Sequence, residues 1–179
     1  SGDRPAALAE LMGIIQNDGI KLPTIRIDSL HFAANTPYET RLQYNANVGE
    51  RVMRPEVARA LKKALADVAE LGTARRLNGS FVQADGSPLK IGGKTGTGDN
   101  RIATQVVRGR VMASTVNNRT ATFVFFLGDN YFGTLTAFVP GKGADDFSFT
   151  SALPLQVLKG MAPLIKPYVA KNTPMCQAA

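Results

Sequence analysis

Long apolar runs are missing from this chain. No stretch approaches the roughly 18 apolar residues of a membrane-spanning helix, so no segment reads as one. The opening "SGDRPAALAELMG" has no basic region followed by a hydrophobic core, and so does not read as an export signal. Cysteine is reduced to Cys176. A lone thiol excludes an internal disulfide and leaves the redox compartment undecided. Acidic residues are in deficit, 14 against 21 Lys and Arg, for a net charge of +7. That balance points to anionic partners in general. The basic residues are dispersed, however, and pairs such as Lys62-Lys63 and Arg75-Arg76 read as solvated faces rather than a nucleic-acid stripe. Histidine occurs once, at His31 in "SLHFA", and is expected to be a partly buried structural residue.

What is present fits one globular domain. The 179 residues are 44% hydrophobic and 20% charged, a length that buries roughly two thirds of the unfolded surface. A first helix starts at Pro5, carries Leu8, Leu11, Met12 and Ile15 at helical spacing and stops at Gly19. "LPTIRIDSLHF" has a weak period of two and is read as extended, and "AANTPYETRLQYNANVGE" as loop. A second helix runs from about Pro55 to Leu71, with Val57, Leu61, Leu65 and Val68 on one face and Gly72 as its cap. Three strands follow, near 89–97, 120–128 and 133–139, the last two joined by a tight turn at Asp129-Asn130. The unbroken run Phe123 to Leu127 reads as a strand covered on both faces. A C-terminal amphipathic segment from about Ser151 to Val169, interrupted by Pro154, Pro163 and Pro167, supplies part of the cover. No repeat, linker or low-complexity tract appears. The expected class is α+β, one antiparallel sheet flanked by helices.

The chemistry concentrates in "IGGKTGTGDNR", residues 91–101, where four glycines surround Lys94, Thr95 and Thr97. Glycine lets a backbone approach a ligand, and one cation with two hydroxyls suits an anion. A phosphate-binding P-loop requires glycine at position 88, where Pro88 has no amide hydrogen. A dinucleotide fingerprint fails on glycine order.

The order of elements around this triplet identifies a resemblance. "GGKTGT", Gly92 to Thr97, is similar to the K-T/S-G-T motif of the serine penicillin-recognising superfamily. "LGTA", Leu71 to Ala74, resembles the G-T-A that precedes it, and "PAALAELMGIIQNDG", Pro5 to Gly19, resembles the upstream helix signature ending in Asn17 and Gly19. Together they resemble the C-terminal half of the transpeptidase domain of class A (bifunctional) penicillin-binding proteins, over residues 1–179. The resemblance implies a partial penicillin-binding fold and a D-alanyl-D-alanine transpeptidase acting through a serine acyl-enzyme without metal or organic cofactor. The implied partners are the peptidoglycan stem peptide, β-lactams and the absent N-terminal half of the domain, with no nucleic acid. Any membrane attachment would come from an upstream anchor, at the periplasmic or extracytoplasmic face of the inner membrane.

By the same resemblance Lys94 supplies positive potential and proton traffic, and the Thr97 amide is an oxyanion donor. Thr95, Gly96 and Thr97 bind substrate. The superfamily's nucleophile and second motif would both precede Pro5, so the nucleophile is not in this chain. Ser87 in "SPLK" alone has a lysine three residues on, but it sits in a turn before a strand, where the two side chains diverge. The segment 98–119 is longer than the family's connection and is expected as an insertion at the cleft rim, where Asp99 and Asn100 shape the cleft and Arg101 and Arg108 lie on the solvated surface. Phe123, Phe125, Phe126, Tyr131 and Phe132 are expected in the core. Other readings stay open: a β-lactamase, a D,D-carboxypeptidase, a non-catalytic peptidoglycan-binding module, or a basic protein binding nucleic acid.

Overall fold

The computed structural model describes residues 4–27, 29–43 and 49–169; Cys176 lies outside them. Helix α1 spans Pro5–Gln16, with Arg4 in extended conformation as N-cap and Pro5 in the first turn. Helix α2 spans Pro55–Glu70, again opening on proline, with Glu56 in the first turn where the helix dipole favours an acid. Three strands, β5 (Ile91–Val107), β6 (Arg110–Leu127) and β7 (Tyr131–Pro140), form one antiparallel sheet in the order β5-β6-β7. Before β5 lie two short pairs: β1 (Ile20–Lys21) with β4 (Glu50–Arg51), and β2 (Ser29–Phe32) with β3 (Thr40–Gln43). Helix α3 spans Ala152–Val169 and closes the described fold.

The apolar run of β6 is sandwiched as its sequence predicts. Phe123 and Leu127 face a cluster with Leu77, Phe81, Ile91, Leu155 and Leu158 on the α3 side. Phe126, one residue out of phase, faces Met12 of α1 and Ala66 of α2 on the other side. Phe125 and Tyr131 are half-buried beside the larger cluster. Phe132 departs from expectation, remaining 42% exposed where it lies over Gly13. The β6–β7 connection is the three residues Gly128 to Asn130, Gly128 taking positive φ, rather than a turn at Asp129-Asn130 alone.

Five expectations need correction. The buried residues of α2 are Ala58, Ala66 and Ala69; of the expected face, Leu65 and Val68 pack partly buried against the two clusters, while Val57 and Leu61 are exposed. The cause is proximity to β5: a Cβ on Gly92 would sit 2.9 Å from the Ala66 backbone nitrogen, a gap that only small residues allow. Gly72 does not end α2 with a left-handed turn. Its N–H and that of Ala74 both bond the Val68 carbonyl, so close approach, not positive φ, selects glycine there. Within the stretch read as loop, Thr40–Gln43 pairs with Ser29–Phe32 as a hairpin exposed throughout. His31 is therefore exposed, its Nε2 2.8 Å from Glu39 Oε1, rather than partly buried.

A last correction concerns the strand bounds of 97 and 120, since the segment 98–119 expected as an insertion between them is itself strand. Both strands continue through it as a two-stranded ribbon, closed by Arg108-Gly109 with positive φ at both residues, the geometry of a type I′ turn. Finally, α3 absorbs its prolines. Pro154 lies in the first turn, where its missing N–H costs nothing, and Pro163 and Pro167 lie within a continuous helix.

Candidate functional site: the GGKTGT strand edge

The glycines of the motif divide into two kinds. A Cβ on Gly92 would lie 2.3 Å from the Phe126 ring, and one on Gly93 2.2 Å from the Val124 carbonyl, so both serve packing. Gly96 and Gly98 have nothing within 4 Å of a built Cβ, so the surface around them is open.

Strand β5 is an edge strand, and hydrogen-bond alternation fixes which backbone groups it presents. The Gly128 N–H donates to the Lys90 carbonyl at 2.7 Å. Carrying that phase along the unshifted register to Gly98↔Thr120 turns the even-numbered residues toward β6. The N–H and C=O of Gly93, Thr95 and Thr97 then point to the free edge. Lys94 is consistent with this, since its Nζ donates to the Thr95 carbonyl at 2.6 Å.

Side chains follow the opposite alternation. Lys94 and Gly96 lie on the sheet face of Val124 and Phe126, Thr95 and Thr97 on the face of Phe123. Thr95 Oγ1 is 2.9 Å from Thr73 Oγ1, so the LGTA and KTG segments are tied together by their threonines. Thr97 Oγ1 accepts the backbone N–H of Ser151 at 2.8 Å, just before α3. Two residues further on, Arg119 Nε and Nη2 donate to both Asp99 carboxylate oxygens at 2.9 and 3.1 Å, and its Nη1 donates to the Phe147 carbonyl. This hydrogen bond holds the Asp99 carboxyl below the usual carboxylate range, and its charge pairing adds to the effect. The segment 147–151 is thus pinned across the strand at two points. Asn100 Nδ2 donates to Asn118 Oδ1 at 2.8 Å, closing the last regular pair before the ribbon.

Thr73 and Ser151 open onto a cleft of about 1120 Å³ between the end of α2 and the start of α3. Arg75, Arg76 and Lys159 line it against one acid, Glu70, so its field is positive. A smaller cavity of about 200 Å³, lined by Gln83, Asp85 and Gly128 among others, contains no motif residue. Ser87 is unsuited to attack: its Oγ donates to Asp85 at 2.6 Å, and that bond, seconded by the Ser87 N–H, lowers the Asp85 pKa and weakens it as a base. Among the described residues no cluster of three or more metal-ligating side chains occurs, and no helix is long and apolar enough to cross a membrane.

The sequence placed Lys94, Thr95, Gly96 and Thr97 on one strand, and the structure keeps them together at its open edge. It missed the partners. Thr73 carried a signal through LGTA, whereas nothing in the spacing marked Arg119 or the Ser151 amide.

An antiparallel sheet with this edge strand, α1 on one face and the C-terminal helix α3 on the other, resembles part of the fold of penicillin-binding transpeptidase domains. Penicillin-binding protein 3 from Mycobacterium tuberculosis, complexed with ampicillin, matches with a TM-score of 0.55 at 18% identity, over 95% of this chain and 36% of that one. Penicillin-binding protein A from M. tuberculosis, a ceftriaxone acyl-enzyme complex, matches at 0.55 and 21%, over 89% and 31%. The D,D-transpeptidase domain of a peptidoglycan glycosyltransferase from Eggerthella lenta matches at 0.52 and 14%, over 87% and 31%. The chain spans about a third of the length of these structures, and the likeness is one of fold. No protein-family model matches the chain, and no curated protein matches it.

Proposed function

We propose that residues 1–179 are the C-terminal portion of one transpeptidase domain of the class A penicillin-binding type, and that they form the strand wall of its active site. The observation that carries this reading is the GGKTGT edge, open at Gly96 and tied through Thr95 to the LGTA threonine, within a fold shared with β-lactam-binding transpeptidases. The nucleophilic serine comes from the absent N-terminal portion. Its oxygen bonds to the penultimate D-Ala carbonyl carbon, the peptide C–N bond breaks and D-Ala leaves with a proton. The amine of a second stem then displaces the serine. A β-lactam acylates the same serine.

The strand's share is electrostatic and steric. A stem peptide lies extended along the β5 edge, with Gly96 leaving room for it. The Thr97 N–H, turned outward, is one oxyanion donor. Lys94 exchanges its bond to the Thr95 carbonyl for the ligand carboxylate and for proton traffic toward the leaving amine. The Thr97 hydroxyl, which accepts from Ser151, keeps its own proton to donate to that carboxylate. The site works at the extracytoplasmic face of the inner membrane, held there by an upstream anchor.

A fluorescent penicillin tests this reading. The 179-residue chain should form no covalent adduct, while the protein with its N-terminal portion restored should label. Thr97→Val should slow labelling roughly tenfold to a hundredfold, the loss expected for a hydrogen bond to a charged group, and Ser87→Ala should leave it unchanged. Labelling of the isolated chain that Ser87→Ala abolishes would overturn the assignment. Fast turnover of penicillin would identify a β-lactamase instead.

A further inference from the structure

Beyond Asn100 and Asn118 the β5–β6 ribbon has no third strand, because β7 ends where Pro140 pairs with Asn118. It projects roughly 20 to 25 Å at ordinary strand rise. Every residue from Arg101 to Ala113 is exposed. These include Ile102, Val106, Val107, Val111 and Met112, at 47–65% exposure, a concentration of apolar surface that a solvated arm has no reason to keep. The valines occupy both faces, since Val106 pairs with Val111 on one and Val107 with Arg110 on the other. The charge is equally one-sided. From Asn100 to Gly128 there are four arginines and no Asp or Glu. Arg119 is committed to Asp99, while Arg108 and Arg110 at the tip form no ion pair among the described residues.

We propose that this ribbon docks on an anionic lipid bilayer, lying in the headgroup layer with its arginines on phosphates and its valines and Met112 among the upper acyl chains. A flat protein surface covers one face of such a ribbon, whereas a headgroup layer surrounds both. A polyanion without apolar surface satisfies the arginines and leaves the valines wet. Depth is limited by the backbone: the outer edge of each ribbon strand carries unpaired N–H and C=O groups, which hydrocarbon does not tolerate. The contact is therefore interfacial and depends on both apolar burial and charge.

The experiment is co-sedimentation of the 179-residue chain with phosphatidylcholine vesicles and with vesicles that also contain phosphatidylglycerol. Binding to the anionic vesicles only, weakened by salt, is expected. Arg108→Asn with Arg110→Gln should reduce it about 25-fold, fivefold per arginine, without loss of fold, since Asn-Gly suits the type I′ turn. Val106→Ser with Val111→Ser should reduce it as well, while Arg75→Gln with Arg76→Gln, elsewhere on the surface, should leave it unchanged. The chain has no tryptophan, so Val107→Trp reports on the tip alone, and its emission should shift to the blue on anionic vesicles. Absence of binding, equal loss in the Arg75/Arg76 variant, or tip emission that stays unshifted while the chain sediments would each overturn the proposal. A soluble protein that protects the tip while anionic vesicles do not would overturn it in favour of a protein partner.

Discussion

Replacing Gly92 and Gly96 in turn by alanine separates the packing half of the motif from its open half. At Gly92 the added methyl meets the Phe126 ring at 2.3 Å and the Ala66 backbone nitrogen at 2.9 Å, against a comfortable carbon contact of about 3.5 to 4.0 Å. Phe126 is fully buried and the helix backbone has no rotamer with which to yield. The strain should fall at the upper end of the overpacking range, about 3 kcal/mol. At Gly96 the methyl meets nothing within 4 Å, and φ is not in the left-handed region. The change there should be neutral to slightly stabilising, within about 1 kcal/mol, because alanine restricts the unfolded chain. Urea titration followed by circular dichroism reads both. With a slope near 2 kcal/mol/M, Gly92→Ala should lower the midpoint by about 1.5 M and Gly96→Ala should barely move it. In the complete protein Gly96→Ala should nevertheless impede β-lactam acylation, its methyl standing in the path proposed for the ligand. Equal midpoint losses for the two variants would refute the division of the motif.

Thr73→Val should cost about 1 kcal/mol in the same titration and slow acylation of the complete protein about fivefold, with Thr73→Ser restoring both; an unaffected acylation rate would remove Thr73 as a positioning residue. Asp99 has a depressed folded pKa, so its contribution is present above its unfolded value of about 3.9 and is lost as pH falls through the lower folded value. Asp99→Asn should therefore lower the urea midpoint at pH 7 and progressively less toward pH 3. A difference independent of pH would mean that the Arg119 pair does not hold segment 147–151.

Much of this fold is legible because its signals are local. The proline starts of α1 and α2, the two-face strand Phe123 to Leu127 and the KTG strand all follow from short windows of sequence. The buried alanines of α2 escaped notice because hydrophobic periodicity favours valine and leucine such as Leu65 and Val68, whereas Gly92 of the neighbouring strand comes so close at Ala66 that only a small residue fits. The ribbon was misread because Thr97 looked like a strand end: polar residues from Gly98 to Arg101 interrupt the apolar pattern before Ile102, Val106 and Val107 resume it. Its Arg108-Gly109 turn, flanked by valines, was the missed cue. Bulges at three points along the ribbon also break the alternation on which strand recognition depends. In the site, the motif residues were visible and their anchors were not, since Arg119 and Ser151 reach the strand from 20 and 54 residues away.

The sheet has two outer edges with opposite chemistry. Strand β7 presents ten residues, Tyr131 to Pro140, without a single charge and without proline before the last position. Such an edge is a template for any extended chain, including another copy of itself. On β5 the Lys94 ammonium occupies the Thr95 carbonyl, the acceptor that an invading strand would use, and the open glycines offer a newcomer little to pack against. Prepared alone, the chain should accordingly associate through β7 as its concentration rises and remain soluble along β5. A charged residue at the exposed Thr136 would be the simplest remedy for crystallisation or solution work, since it interrupts the template without touching the strand that carries the motif.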